Sequence, residues 1–168
     1  MTPEDLRGVL RGITYRDTAP ADQTFLLDLY TSTRAEELAR VAWPEEQKVA
    51  FLRQQFLAQD AYYRASYPGA EFRVIEQGGL PVGRLYVHRR EDEHRLMELT
   101  LLPACRGRGI GTALIREVMR GAAREAKPVR LHVEGFNPAL RLYRRLGFVQ
   151  LEERGLYWFL EWRPPGVS

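Results

Sequence analysis

The chain has 168 residues and a mass of 19.4 kDa, 45% of it hydrophobic, which fits one domain with one core. One cysteine, Cys105, excludes an internal disulfide, and the N-terminal MTPEDLRGVLRG holds no apolar run for a signal peptide or membrane span, so a cytoplasmic protein with no membrane partner is expected. Lys+Arg 25 against Asp+Glu 22 is a mild basic excess, scattered rather than gathered, and the three histidines lack the ligand spacing of a zinc site, so neither nucleic acid nor a metal is expected.

Residues 13–16 read as a short strand. A helix follows from Pro20 or Ala21 to Tyr30, with Phe25, Leu26 and Leu29 as its apolar stripe. A second helix starts after Trp43 with Pro44 in its first turn. Its Val49, Phe51, Leu52, Phe56 and Leu57 recur at helical spacing, which predicts packing, and Tyr67, Pro68 and Gly69 end it. Segments 72–77 and 81–90 form a hairpin about Gly78 and Gly79, and 95–102 adds a third strand. A helix from Ile110 to Arg124 carries Ile110, Leu114, Ile115, Val118, Met119 and Ala122 on one side. The next strand, 129–133, therefore pairs in parallel through a right-handed crossover. Asn137 caps a short helix that has Pro138 in its first position and Gly147 beyond its end, and FVQLEE and LYWFLEW close the chain. This order predicts an α/β fold: a mixed, mostly antiparallel seven-stranded sheet with helices on both faces.

Between the third meander strand and the 110–124 helix lies CRGRGIGTAL, with three glycines and two arginines in six residues. A helix N-terminus presents unpaired N–H groups and about half a positive charge, and so binds phosphate without a dedicated side chain. A Cβ at Gly107, Gly109 or Gly111 would crowd phosphate oxygens or forbid the positive φ that gathers N–H groups into one nest. Arg106 and Arg108 add charge for a diphosphate. Gly111 is followed by Thr112 without a lysine, which excludes a Walker A loop. The third glycine of a dinucleotide fingerprint is missing as well.

The pattern R-x-x-G-x-G, met as Arg106, Gly109 and Gly111, resembles the acyl-CoA loop of the GNAT superfamily of N-acetyltransferases. ELTLLPACRGRGIGTAL is similar to the family's fourth strand, loop and third helix, and LHVEGFNPALRLYRRLGF to its fifth strand and fourth helix. Ala104 and Cys105 depart from the larger polar residues often found in the loop. The resemblance implies direct transfer of the acetyl group of acetyl-CoA to a primary amine of a small molecule or protein, in a ternary complex. It implies a cofactor cradle of Arg106, Gly107, Arg108, Gly109, Ile110, Gly111 and Thr112, backbone groups of Leu99, Thr100 and Leu101 along the pantetheine arm where two strands splay, and a contact from Asn137. Tyr143 falls where the family's tyrosine protonates the CoA sulfur.

Glu98 is the only carboxylate inside its strand, flanked by Met97 and Leu99, a costly place for a charge unless it faces a cleft. It is the general-base candidate, and Glu134 is its substitute. For the acceptor amine, the region of the first two helices offers Arg34, Glu36, Glu37, Trp43, Tyr62 and Tyr63. Tyr157, Trp158 and Phe159, if exposed on the last strand, suit a homodimer. The competing reading is a CoA-binding regulatory module without catalysis.

Overall fold

The computed structural model describes residues 2–166. Helix α1 (Pro3–Val9) precedes strand β1 (Ile13–Asp17), helices α2 (Gln23–Ala39) and α3 (Glu45–Ser66), and strands β2 (Glu71–Gln77), β3 (Leu80–Arg89) and β4 (His94–Leu101). Helix α4 (Ile110–Arg124), strand β5 (Val129–Glu134), helix α5 (Ala139–Arg145) and strands β6 (Val149–Arg154) and β7 (Tyr157–Trp162) complete the order. The seven strands form one mixed sheet in the order β1-β2-β3-β4-β5-β7-β6. β4 and β5 are parallel, as a strand–helix–strand crossover requires, whereas β1/β2, β5/β7 and β6/β7 are antiparallel. Among the described residues no helix is long and apolar enough to cross a membrane.

The residues cluster into two compact units, one of 12–85 with 99–106, the other running up to residue 11, through 86–98 and from 107 onward. In the first unit, β1 pairs with β2 from Ile13 opposite Gln77 to Asp17 opposite Arg73. Gly78 and Gly79 turn the chain at φ +58° and +82°, left-handed values that suit a two-residue hairpin. α2 and α3 close on each other through Leu26, Tyr30, Leu52 and Phe56, and the Tyr30 and Phe56 ring centroids are 5.9 Å apart. Arg16 grips Asp22 with two hydrogen bonds of 2.8 and 2.7 Å, and Asp22 also accepts the Ala19 amide, which fixes the entry to α2. Arg84, 1% exposed, donates to Gln59 Oε1 at 3.0 Å. Gly83 on β3 lies close against the backbone of Thr100 and Leu101 on β4.

In the second unit, α4 buries Ile110, Ala113, Leu114, Ile115, Val118, Met119 and Ala122. This is the stripe its 3.6-residue period predicts, with Ala113 added. The β4/β5 register holds His94 opposite Val129 and Arg95 opposite Arg130, while β4 runs on to Leu101 and β5 to Glu134 beyond those pairs. Buried His94 bonds through Nε2 to Glu125 at the end of α4. Buried Glu93 binds Arg95 at 2.8 Å, and buried Glu161 accepts Arg130 at 2.8 Å and Arg163 at 2.7 Å.

Several elements differ from the sequence expectation. α1 was not predicted; Thr2 and Asp5 cap it reciprocally, and Pro3 opens its first turn. α2 extends to Ala39 rather than Tyr30, because TSTRAEELA keeps helix propensity after the apolar stripe has ended. On α3 only Leu52 and Phe56 are buried, and Val49, Phe51 and Leu57 of the predicted stripe lie exposed. α5 is assigned from Ala139, although Asn137 Oδ1 still accepts the Ala139 amide at 2.9 Å. On β7 Tyr157 is exposed while Trp158 and Phe159 are half-buried.

A Cβ on Gly83 would sit 2.3 Å from the Thr100 carbonyl oxygen and 2.9 Å from Leu101 Cδ2. The first contact is with backbone and has no room to relax. Gly83→Ala is therefore expected to lower the unfolding free energy by about 1–3 kcal/mol in urea denaturation. An unchanged midpoint would mean that β3 and β4 separate there at little cost.

Candidate active site

The loop between β4 and α4 is built from local backbone bonds. Leu102 donates to the Val82 carbonyl at 2.8 Å, and Pro103–Cys105 make one 3-10 turn closed by Cys105 to Leu102 at 2.9 Å and Arg106 to Pro103 at 3.2 Å. Gly107 (φ +74°) and Gly109 (φ +82°) are left-handed, as the nest geometry requires. A Cβ on Gly107 would meet nothing within 4 Å, so packing does not call for glycine there and conformation does. Gly111 has no left-handed φ and lies in the first turn of α4.

Gly109 is the N-cap of α4 and supplies no side chain, and the first intrahelical bond is Ala113 to the Gly109 carbonyl at 3.0 Å. The amides of Ile110, Gly111 and Thr112 precede that bond and have no partner within the helix. The result is an uncapped helix end with its dipole positive, entered by two left-handed glycines that flank exposed Arg108. Arg106 makes two bonds to protein. Its Nε donates to the Leu101 carbonyl at 3.0 Å and its Nη2 to Ser32 Oγ at 3.1 Å.

Glu98 is half-buried on β4, three residues past the last β4/β5 pair. Burial of its hydroxyl, and then the negative charge of Glu98, push the Tyr143 phenol well above its ordinary range. The Tyr143 ring meets Phe148 edge-on at 5.5 Å and 66°, which fixes its plane. The charge of Glu98 thus acts on the phenol in the same direction as burial. Asn137 serves as the cap of α5, and half-buried Glu134 ends β5, its carbonyl accepting the Asn137 amide at 2.9 Å.

The acceptor candidates divide. Arg34 and Glu37 pair at 3.2 Å beside a recess of about 100 Å³ that Tyr30, Leu38, Phe51, Leu52 and Gln55 complete, and the Arg34 guanidinium lies 5.6 Å from the Tyr30 ring centre. Trp43 joins this end through an edge contact of 5.3 Å with Phe51. Glu36 is exposed and does not line the recess. Tyr62 and Tyr63 belong elsewhere, in a ring cluster with Tyr67 at 6.1–6.4 Å. Tyr30, Gln55 and Ser32 were not among the sequence candidates; the i, i+4 spacing of Tyr30 and Arg34 was the available signal for the first.

Residues 68–150 match the family model described as an acetyltransferase (GNAT) domain. No curated protein sequence matches the chain. The fold is shared with the PaiA N-acetyltransferase of Thermoplasma acidophilum, solved in complex with coenzyme A (19% identity, TM-score 0.65, covering 90% of this chain and 98% of that one). It is shared with an acetyltransferase of Thermus thermophilus (16%, 0.64, 90% and 96%). A third such structure is the Corynebacterium glutamicum protein described as histone acetyltransferase HPA2 and related acetyltransferase (22%, 0.60, 94% and 98%). At these identities the structural likeness speaks for the fold, and the matched model assigns the domain of residues 68–150 to the GNAT superfamily of acetyltransferases.

Proposed function

We propose that the chain is an acetyl-CoA-dependent N-acetyltransferase that moves an acetyl group to a primary amine of a small molecule or protein by direct attack in a ternary complex. The observation that carries this reading is the uncapped start of α4, where left-handed Gly109 precedes three amides with no partner inside the helix. That arrangement fits a diphosphate: the Ile110, Gly111 and Thr112 amides hold its oxygens, and exposed Arg108 neutralises charge. The bound cofactor supplies an acetyl thioester whose C–S bond breaks to release a thiolate. Backbone groups of Leu99, Thr100 and Leu101, beyond the last β4/β5 pair, line the pantetheine arm and donate to the carbonyl oxygen, and Asn137 contacts the arm.

Glu98 takes a proton from the substrate ammonium, directly or through one water, so that the amine lone pair is free to attack. The Tyr143 hydroxyl gives its proton to the departing sulfur. Because its phenol is held above its ordinary range, Tyr143 is protonated throughout the neutral range and is an acid when needed. Protons balance: the ammonium nitrogen loses one proton to Glu98 before attack and a second after it, one of the two replaces the proton that Tyr143 gives to sulfur, and the other passes to solvent.

In a thermal shift at about a hundred times its Kd, acetyl-CoA is expected to stabilise the wild type by about 2.7 kcal/mol, whereas Gly109→Val, strained at φ +82° and filled by a side chain, loses that shift. Equal shifts in both would remove the cradle from the reading. Tyr143→Phe keeps the ring against Phe148 and is expected to bind acetyl-CoA normally while kcat falls about a hundredfold in CoA release with an amine panel. Undiminished turnover would take the acid role from Tyr143. Glu98→Gln is expected to lower kcat/KM by about a hundredfold at neutral pH, the deficit shrinking as pH rises and the free amine deprotonates unaided. A deficit independent of pH would place Glu98 in structure rather than in proton transfer.

A further inference from the structure

We infer that Arg106 is a positioning residue that ties α2 to the cofactor loop through Ser32, and that ligand held by the amides following it is felt in α2. The second half of this inference rests on the acetyl-CoA reading above. Two donors of the guanidinium are already used by protein, Nε on the Leu101 carbonyl at 3.0 Å and Nη2 on Ser32 Oγ at 3.1 Å. Ser32 spends its own hydrogen on the Leu29 carbonyl at 2.6 Å, which leaves its oxygen lone pairs for the arginine. One side chain therefore joins the end of β4, the loop, and a helix 74 residues away in sequence. A planar fork with donors on separate nitrogens makes both bonds at once; the single ammonium of a lysine does not reproduce that geometry.

The position of Arg106 gives the tie its consequence. The residue closes the 3-10 turn in an extended conformation (φ −79°, ψ 158°), and the next one, Gly107, has open space where a side chain would stand. Arg106 is thus the last anchored residue before the exposed stretch 107–108. Ligand that fixes the amides beyond it shortens the free motion of the loop, and the restraint passes along the guanidinium to Ser32. α2 also carries Tyr30, Arg34 and Glu37 of the recess, so the tie links the donor loop to the helix that bears the acceptor candidates.

The test is hydrogen–deuterium exchange on the whole protein, with CoA as the probe. Without CoA, Arg106→Met is expected to speed amide exchange in the 29–36 segment, and Ser32→Ala in the 102–108 segment, each by about tenfold, with the double variant no faster than the faster single one. Ser32→Thr keeps the hydroxyl and restores wild-type exchange. With CoA, the wild type gains protection in 29–36, while Ser32→Ala binds CoA within about threefold of the wild type and loses that protection. If Ser32→Ala changes neither segment and Arg106→Met simply weakens CoA, Arg106 is a phosphate ligand and the tie is overturned. If both variants speed exchange equally with and without CoA, the contact is structural only and the coupling is overturned. If CoA protects nothing in the wild type, the acetyl-CoA reading and the coupling fail together, and the unliganded exchange alone decides whether the tie exists.

Discussion

Helix α4 begins on a left-handed glycine with no side chain to cap it, and the character of the candidate site follows from that one choice. Helices α2 and α3 also start without a side-chain cap, but neither starts on a left-handed glycine, whereas Thr2 and Asp5 bond across the start of α1 and Asn137 Oδ1 accepts an amide at the start of α5. Leaving out such a cap costs about 0.5–2 kcal/mol. What offsets it is the far side of the same helix, where Ala113, Leu114, Ile115 and Ala122 are essentially without exposure. Burying a side chain such as Leu114 or Ile115 contributes about 1.5–3 kcal/mol apiece, so the packing outweighs the missing cap and α4 can keep its first amides for a ligand.

The strand before the loop is held at one end and released at the other. At its start, β4 pairs in parallel with β5 through His94 and Arg95, and charged residues there are closely matched: Glu93 with Arg95, and Glu161 with Arg130 and Arg163. Buried charges tolerate their desolvation only when paired in this way. Past Arg95 and Arg130 the two strands share no further register pair, and the backbone polar groups of the outer part of β4 need other partners. One is in place, since the Leu101 carbonyl accepts Arg106. The guanidinium that the glycine pattern suggests as a phosphate charge thus also serves the strand.

Much of this was legible in the residues. The apolar period of 110–122 located α4, and Gly78-Gly79 the hairpin. The glycine spacing of 105–112 located the left-handed turns at Gly107 and Gly109 before α4, because conformational need is written in residue type where no other residue serves. The rest was hidden for physical reasons. α1 is seven residues long and buries only Leu6, so its capping box was its only strong signal. The second half of α2 is helical by propensity without an apolar stripe, and α3 carries apolar residues at helical spacing that face solvent, which periodicity cannot distinguish from a core. The contact between Arg106 and Ser32 spans 74 residues and leaves no local trace. For the same reason the recess beside Arg34 and Glu37 draws on residues of two helices, such as Tyr30 and Gln55, that no local pattern would have grouped.

The influence of the Glu98 charge on Tyr143 has a bearing on the order of proton transfers in the proposed reaction. Burial is the larger reason that the phenol holds its proton, and the Glu98 charge is the second. A carboxylate that accepts a proton from the amine loses its charge, and the second of these two influences disappears with it. Tyr143 then becomes a stronger acid at the stage when the thiolate needs a proton, while burial alone still keeps the phenol neutral before that stage. In the proposed reaction, proton transfer to Glu98 therefore precedes proton release from Tyr143.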